Sequence, residues 1–261
     1  MSVFQTLSQP LARPVMCVLA GDAGVGKTTF AAQNFPKPVI IQAEAGLNSL
    51  SIMGADAPLA FPLLQTSSEL WDQLTGLVTE EHEFKTVIID SLSALDRLFG
   101  QEIIASDPRK PKSLAQAHGG YGAGIDMAYQ MHARVRKACG LLLAKGINVC
   151  AISHALVETF NPPDADAYDR FTLSLGKKAQ NLWTEDSDLV AFLRLETFVK
   201  SEDKGSNAPA KKGKAIGSGA RELLCHASAS SKSKNRYGIS EMLQVEMGVN
   251  PLLPFIPSLA V

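Results

Sequence analysis

The sequence predicts an α/β fold: a mostly parallel, doubly wound sheet with an antiparallel extension toward the C-terminus. As far as His154, short continuous apolar runs alternate with stretches of helical periodicity. A glycine-rich turn, Gly21-x-x-x-x-Gly26-Lys27-Thr28, joins the first apolar run to the first helical stretch. Beyond His154 the apolar runs follow one another with no helix between them. Alternation of strand and helix is the pattern of parallel strands joined by crossovers, whereas strands in direct succession return antiparallel.

The elements follow in order. "PVMCVLA" (14–20) is a short apolar run ending at a glycine, as expected of a strand buried on both faces. A helix is predicted over Lys27 to Asn34, stopped by Pro36 and Pro38. "PVIIQAE" (38–44) is a second buried strand, and 67–83 a helix with Leu70, Trp71, Leu74, Leu77 and Val78 on one face behind a serine cap. "KTVIIDSLS" (85–93) and "NVCAISH" (148–154) are the third and fourth strands, with a helix over 125–145 between them. Segments 168–176, 187–199 and 220–230 are read as the antiparallel extension. Residues 200–219, rich in Lys, Gly, Ser and Ala, are read as a flexible basic loop.

A chain of 261 residues with 46% hydrophobic content can bury a full core, and one domain is expected, with its core over 14–245. The apolar, proline-punctuated tail 246–261 is too short to fold alone and is read as packing either on this core or on a neighbouring copy. The net charge of −1 argues against a whole-molecule field for a polyanion, so any nucleic-acid surface has to be a local patch. Four scattered cysteines, with no Cys-x-x-Cys pair, read as core thiols of a reduced compartment. No apolar run is long enough to span a membrane, so a cytoplasmic protein without membrane association is expected.

The glycine turn matches the loop that wraps the phosphates of a nucleoside triphosphate. Gly21, Asp22, Ala23, Gly24, Val25, Gly26, Lys27, Thr28 and Thr29 are the candidate ATP-binding residues. Backbone N–H groups and the helix N-terminus would face the anion. Lys27 would reach the β and γ phosphates, and the Thr28 hydroxyl would ligate Mg²⁺. A second metal-site residue is expected at the end of another apolar strand, and Asp90, closing "TVIID", fits. Glu44 ends the second strand, at the edge where ligands bind; it reads as the group that orients or deprotonates the attacking water, or as a solvated loop glutamate. His154, with Ser153, reads as a contact to the γ phosphate or as a packing residue at a strand end.

The constellation of phosphate loop, "IIQAEAGLNSL", "TVIIDSLSAL" and "NVCAISHA" resembles the RecA-like recombinase ATPases. More closely, it resembles the phage-type RecA-like ATPases that act as single-strand annealing proteins, reduced to the core domain, with similarity over about 14–245. The resemblance implies a RecA-like P-loop core, Glu44 as catalytic carboxylate, and ATP and Mg²⁺ as cofactors. It also implies that Lys234 and Arg236, in "SKSKNRYGI", act in trans on a neighbour's γ phosphate. By themselves those two residues read equally as a solvated basic turn.

Two loops would carry nucleic acid in such a protein. The first, 106–124, offers Arg109, Lys110 and Lys112 for phosphates, Tyr121 for stacking, and glycines for mobility. The second, 155–170, carries Glu158, Asp164, Asp166 and Asp169 against Arg170, which departs from a phosphate-tracking loop. From Lys200 to Arg236, nine Lys or Arg face three carboxylates, a composition that serves a solubilising insertion as well as a DNA contact.

The function expected from the resemblance is a DNA-stimulated ATPase that binds single-stranded DNA and promotes annealing or homologous recombination. Its implied partners are single-stranded DNA, further copies of the chain in a ring or filament, and a single-strand-binding protein. Other readings are a nucleotide-gated DNA-binding module with little turnover, a helicase-like P-loop ring motor, and a small-molecule kinase. A kinase needs an arginine-bearing lid, and after Asp90 only Arg97 and Arg109 precede the predicted helix.

Overall fold

The computed structural model describes residues 12–200 and 214–260. Its centre is one ten-stranded sheet. The strands are β1 (Met16–Gly21), β2 (Pro38–Gln42), β3 (Leu59–Ala60), β4 (Thr86–Asp90), β5 (Asn148–Phe160), β6 (Tyr168–Leu173), β7 (Leu189–Lys200), β8 (Lys214–Leu224), β9 (Lys234–Asn235) and β10 (Leu243–Val245). The path runs β10-β8-β7-β1-β5-β4-β2-β3, with β6 paired to β5 and β9 to β7. The helices are α1 (Lys27–Asn34), α2 (Ser67–Thr79), α3 (Leu92–Ser106), α4 (Ala123–Ala144) and α5 (Lys177–Glu185).

The central strands β7, β1, β5, β4 and β2 are mutually parallel and buried on both faces, which is why they read as unbroken apolar runs. Their side chains still alternate between two cores, as a period of two requires. Met16, Val18 and Ala20 of β1 join Leu70 and Leu74 of α2, Leu95 and Phe99 of α3, Val135 of α4 and Trp183 of α5 on one face. Cys17 and Leu19 join Phe30 and Ala31 of α1 on the other. The C-terminal tail covers that second face, with Leu252, Ile256 and Leu259 buried beside α1. Asn250 donates from its side chain to the Asn34 carbonyl at 2.7 Å, which ties the tail to the end of α1. The tail thus packs on the core of its own chain.

The mostly parallel sheet with an antiparallel extension is the fold the sequence predicts, and several elements differ in detail. The antiparallel extension is interrupted: β6 pairs antiparallel with β5 as expected, β7 lies parallel to β1, and β8, β9 and β10 supply the remaining antiparallel pairs. The successive strands expected after His154 are interrupted by α5, whose amphipathic face buries Ala179 and Trp183. Residues 155–170 form a hairpin with a connection at 161–167, not one open loop. β5 continues to Phe160 and pairs with β6 from Ala155↔Leu173 to Phe160↔Tyr168, so Glu158 and Asp169 lie on the paired strands and Asp164 and Asp166 on the connection between them. Arg170 crosses the Phe160 ring at 4.0 Å on that hairpin. Of the basic loop expected over 200–219, residues 201–213 lie outside the described residues and 214–219 belong to β8.

The helix α3 was not among the predicted elements. Its apolar stripe, Leu92, Leu95, Phe99 and Ile103, sits at helical spacing, and the Ser91 hydroxyl accepts from the Ala94 N–H to cap its start. Buried His132 of α4 locks it in place: one ring nitrogen contacts Asp96 at 2.9 Å, and the other receives the Trp183 indole N–H at 3.2 Å. Three helices are thereby tied at one point, which sets the rotation of α3 and the direction taken by its exposed side chains.

Candidate active site

The site lies on the carboxyl rim of the parallel strands, where the register sets the groups side by side. Gly21 at the end of β1 is level with His154 of β5 on one side and Leu193 of β7 on the other. Gln42 of β2 is level with Asp90 of β4. A rim of this kind, at the carboxyl ends of parallel strands, is where open α/β sheets receive ligands.

Residues 22–26 form a turn that opens directly into α1. Gly26 is its N-cap with φ 97°, a conformation that disfavours any side chain, and no side chain caps the helix N-terminus. The amide donors of the first turn are therefore left for an anion. Gly21 is needed for a different reason: a Cβ there would stand 2.3 Å from the Leu193 carbonyl oxygen of β7. Buried Lys27 bends back across the loop, and its Nζ donates to the carbonyls of Gly21 at 2.9 Å and Asp22 at 2.7 Å. Burial lowers its pKa, against the opposing pull of Asp90 and Glu44.

The Thr28 hydroxyl donates to Asp90 Oδ2 at 2.7 Å. Two hard oxygen donors one hydrogen bond apart, beside the uncapped N-terminus of α1, suit Mg²⁺, which keeps several waters and takes only one or two protein oxygens. Among the described residues no group of three or more His, Cys, Asp or Glu gathers into a metal cage. Burial pushes the Asp90 carboxyl above the usual carboxylate range, the Thr28 hydrogen bond opposes this, and the Glu44 charge adds to it.

Glu44 follows β2, and the backbone places it: the Ala43 N–H donates to the Asp90 carbonyl at 2.7 Å. Its carboxylate is held from two sides. The His154 ring nitrogen Nε2 stands 3.3 Å from Oε1, and Arg97 of α3 donates to Oε2 at 3.3 Å. His154 is anchored in turn, its backbone N–H donating to the Ser93 hydroxyl at 3.0 Å. Lys27, Thr28, Glu44, Asp90 and His154 thus meet in one place.

Arg97, Ser93 and Arg221 were not assigned to the site from sequence. Arg97 and Ser93 sit within two turns of Asp90 on α3, so recognising that helix brings both into range. Arg221 carries no such signal: it lies 196 positions from Val25, whose carbonyl accepts from its Nε at 2.7 Å.

The remaining candidates lie apart. The segment carrying Arg109, Lys110, Lys112 and Tyr121 follows α3, about 22 Å along that helix from the rim. It is a pinned turn rather than an open loop, because buried Asp107 takes hydrogen bonds from the Arg109 guanidinium and from the backbone N–H groups of Arg109 and His118. Those contacts, the Arg109 side chain first, hold the Asp107 carboxyl far below its usual range. Arg109 is therefore paired within its own turn although its side chain is exposed, as are Lys110, Lys112 and Tyr121.

Lys234 and Arg236 lie at the opposite, amino edge of the sheet. Lys234 Nζ bonds the Glu185 carbonyl, and Arg236 pairs with buried Asp188 at 2.8 Å. Asp188 is level with Met16 at the start of β1, about 17 Å along the strand from Gly21. Neither cation serves the phosphate loop of its own chain. No helix among the described residues is long and apolar enough to cross a membrane.

A family described as an AAA domain matches residues 13–237. No curated protein matches the sequence. Among solved structures, a KaiC-like protein from the hyperthermophilic archaeon Pyrococcus horikoshii is similar at 14% identity, with 92% of this chain and 88% of that chain covered and a TM-score of 0.45.

Proposed function

The chain belongs to the AAA domain family of P-loop ATPases, matched over residues 13–237, and on that footing we propose a magnesium-dependent ATPase that works on single-stranded DNA. The biological role we assign is annealing or homologous recombination. The observation that carries the hydrolytic reading is the 2.7 Å contact of Thr28 with Asp90, beside the phosphate loop and next to the Glu44 carboxylate. Magnesium, when bound, would neutralise charge on the β and γ phosphates. Thr28 and Asp90 are the residues to hold it. Lys27 and the amides at the start of α1 bind the phosphates, and Glu44 orients or deprotonates the attacking water while His154 and Arg97 fix its carboxylate.

The DNA and assembly parts rest on the RecA-like resemblance, together with positions that suit it. Lys110 and Lys112 offer two exposed cations, and Tyr121 an exposed ring further along the same segment. Lys234 and Arg236, remote from their own loop, would serve a neighbouring copy in a ring or filament. A single-strand-binding protein is the further partner of such an activity.

The test is ATP turnover with and without single-stranded DNA across salt concentrations. Acceleration by DNA at low salt that fades as salt rises is expected, because phosphate contacts release counterions. Absence of acceleration at low salt removes the DNA part. A second reading, a nucleotide-gated module with little turnover, draws on the engagement of Glu44 by both Arg97 and His154. Under it, Glu44→Gln changes neither turnover nor DNA retention.

A further inference from the structure

The structure assigns Arg221, on β8, the task of holding the Val25–Gly26 peptide in the orientation that receives a nucleotide phosphate. This rests on residues 21–29 being a triphosphate-binding loop. Side chains alternate along β8, so Arg221 lies on the same face as Leu223, which packs in the core covered by α1. That face brings the guanidinium to the loop that opens α1. A Cβ built on Gly26 would meet Arg221 Nε at 3.4 Å and Nη2 at 3.6 Å, so the cation lies flat alongside the glycine.

The contact itself is a 2.7 Å bond from Nε to the Val25 carbonyl oxygen, short for its type and strengthened by charge. A peptide unit is planar, and in its trans form the C=O and the following N–H point in opposite directions. Drawing the Val25 oxygen toward β8 therefore turns the Gly26 N–H away from it. Few other restraints hold this plane. Gly24 and Gly26 flank Val25 at φ 77° and 97°; the peptide before this plane is held by a long bond, Val25 N–H to the Asp22 carbonyl at 3.4 Å, and the peptide after it by the Phe30 N–H donating to the Gly26 carbonyl at 2.8 Å. Residues without a Cβ rotate between such states readily. Arg221 thus acts through the loop, as a positioning residue, by fixing one amide donor before nucleotide arrives. A donor used equally by bound nucleotide and transition state alters affinity and leaves kcat alone.

The test compares the full chain with Arg221→Ala and Arg221→Lys; Arg221 is exposed, so both variants are expected to fold. A fluorescent non-hydrolysable ATP analogue is titrated with Mg²⁺, steady-state kinetics are run with ATP, and the Gly26 amide resonance is followed in nucleotide-free protein. Arg221→Ala is expected to weaken analogue binding and raise KM by about ten- to a hundredfold, the range of a charge-assisted hydrogen bond, with kcat unchanged. Lysine still has an N–H for the Val25 oxygen, so Arg221→Lys recovers most of the affinity and returns the Gly26 resonance toward its wild-type position. Unchanged affinity in Arg221→Ala overturns the inference. So does a lysine variant as weak as alanine, because that result makes the guanidinium a direct nucleotide ligand. Failure of the wild type to bind the analogue removes the reading of the loop instead, and the Gly26 resonance then still reports whether Arg221 holds the peptide.

Discussion

Glu44→Gln separates catalysis from stability, and its size follows from the surroundings of the carboxylate. The substitution keeps shape and hydrogen-bonding capacity but removes the charge that Arg97 and His154 contact. The Arg97 side chain is 60% exposed and that of Glu44 28%, so solvent screens the pair and its loss costs under about 1 kcal/mol. For a chain of this size that is a melting shift of about 2–4 °C at most. Loss of a general base lowers turnover by about 10²–10⁴-fold, a far larger effect. The assay is phosphate release at saturating ATP, with a thermal melt and the affinity for a non-hydrolysable analogue measured on the same sample. Turnover should collapse while analogue affinity and melting temperature stay close to wild type. A variant that turns over within a few-fold of wild type refutes the assignment of Glu44 as the group acting on water.

Asp90→Asn tests the metal side. Burial raises the Asp90 carboxyl, so its ionised form is disfavoured in the folded chain: its contribution to stability is full at acid pH and lost as pH rises through the folded value. The variant should therefore melt above wild type at neutral pH without nucleotide, with the gap closing on acidification, yet lose magnesium-dependent turnover by about a hundredfold or more. Arg97→Ala should lower kcat about tenfold at nearly constant KM, and Arg97→Lys should recover most of it, as steady-state kinetics would show. Arg236→Ala should lose ~1 kcal/mol of stability in a thermal melt, because Asp188 loses one partner while Arg13 and the Met16 N–H remain. If Arg236 also acts in trans, mixing Arg236→Ala with Lys27→Ala should regain turnover that neither has alone.

Much of this site was legible because its parts obey local rules. A buried strand, a glycine turn and a helix in succession declare the loop, and the carboxylates closing β2 and β4 fall on the rim because parallel strands end there together. What escaped was set by contacts distant in sequence. The helix α5 is short, and its polar residues mask the stripe that buries Trp183. The stretch 155–170 looked like a loop because its acidic and proline residues hide an alternation that becomes visible only once β6 is paired with it. Arg221 was counted among cations for nucleic acid by charge alone, and only the pairing of β8 with β7 and β10 brings it to the phosphate loop.

The central claim is that Lys27, Thr28 and Asp90 bind a triphosphate together with magnesium. Calorimetric titration of the wild type, Lys27→Ala and Asp90→Asn with a non-hydrolysable ATP analogue, with and without Mg²⁺, tests it most directly. Saturable binding by the wild type that tightens with Mg²⁺, is abolished in Lys27→Ala and loses its magnesium dependence in Asp90→Asn is the expected result. Binding that is absent, or the same in all three proteins, would contradict it.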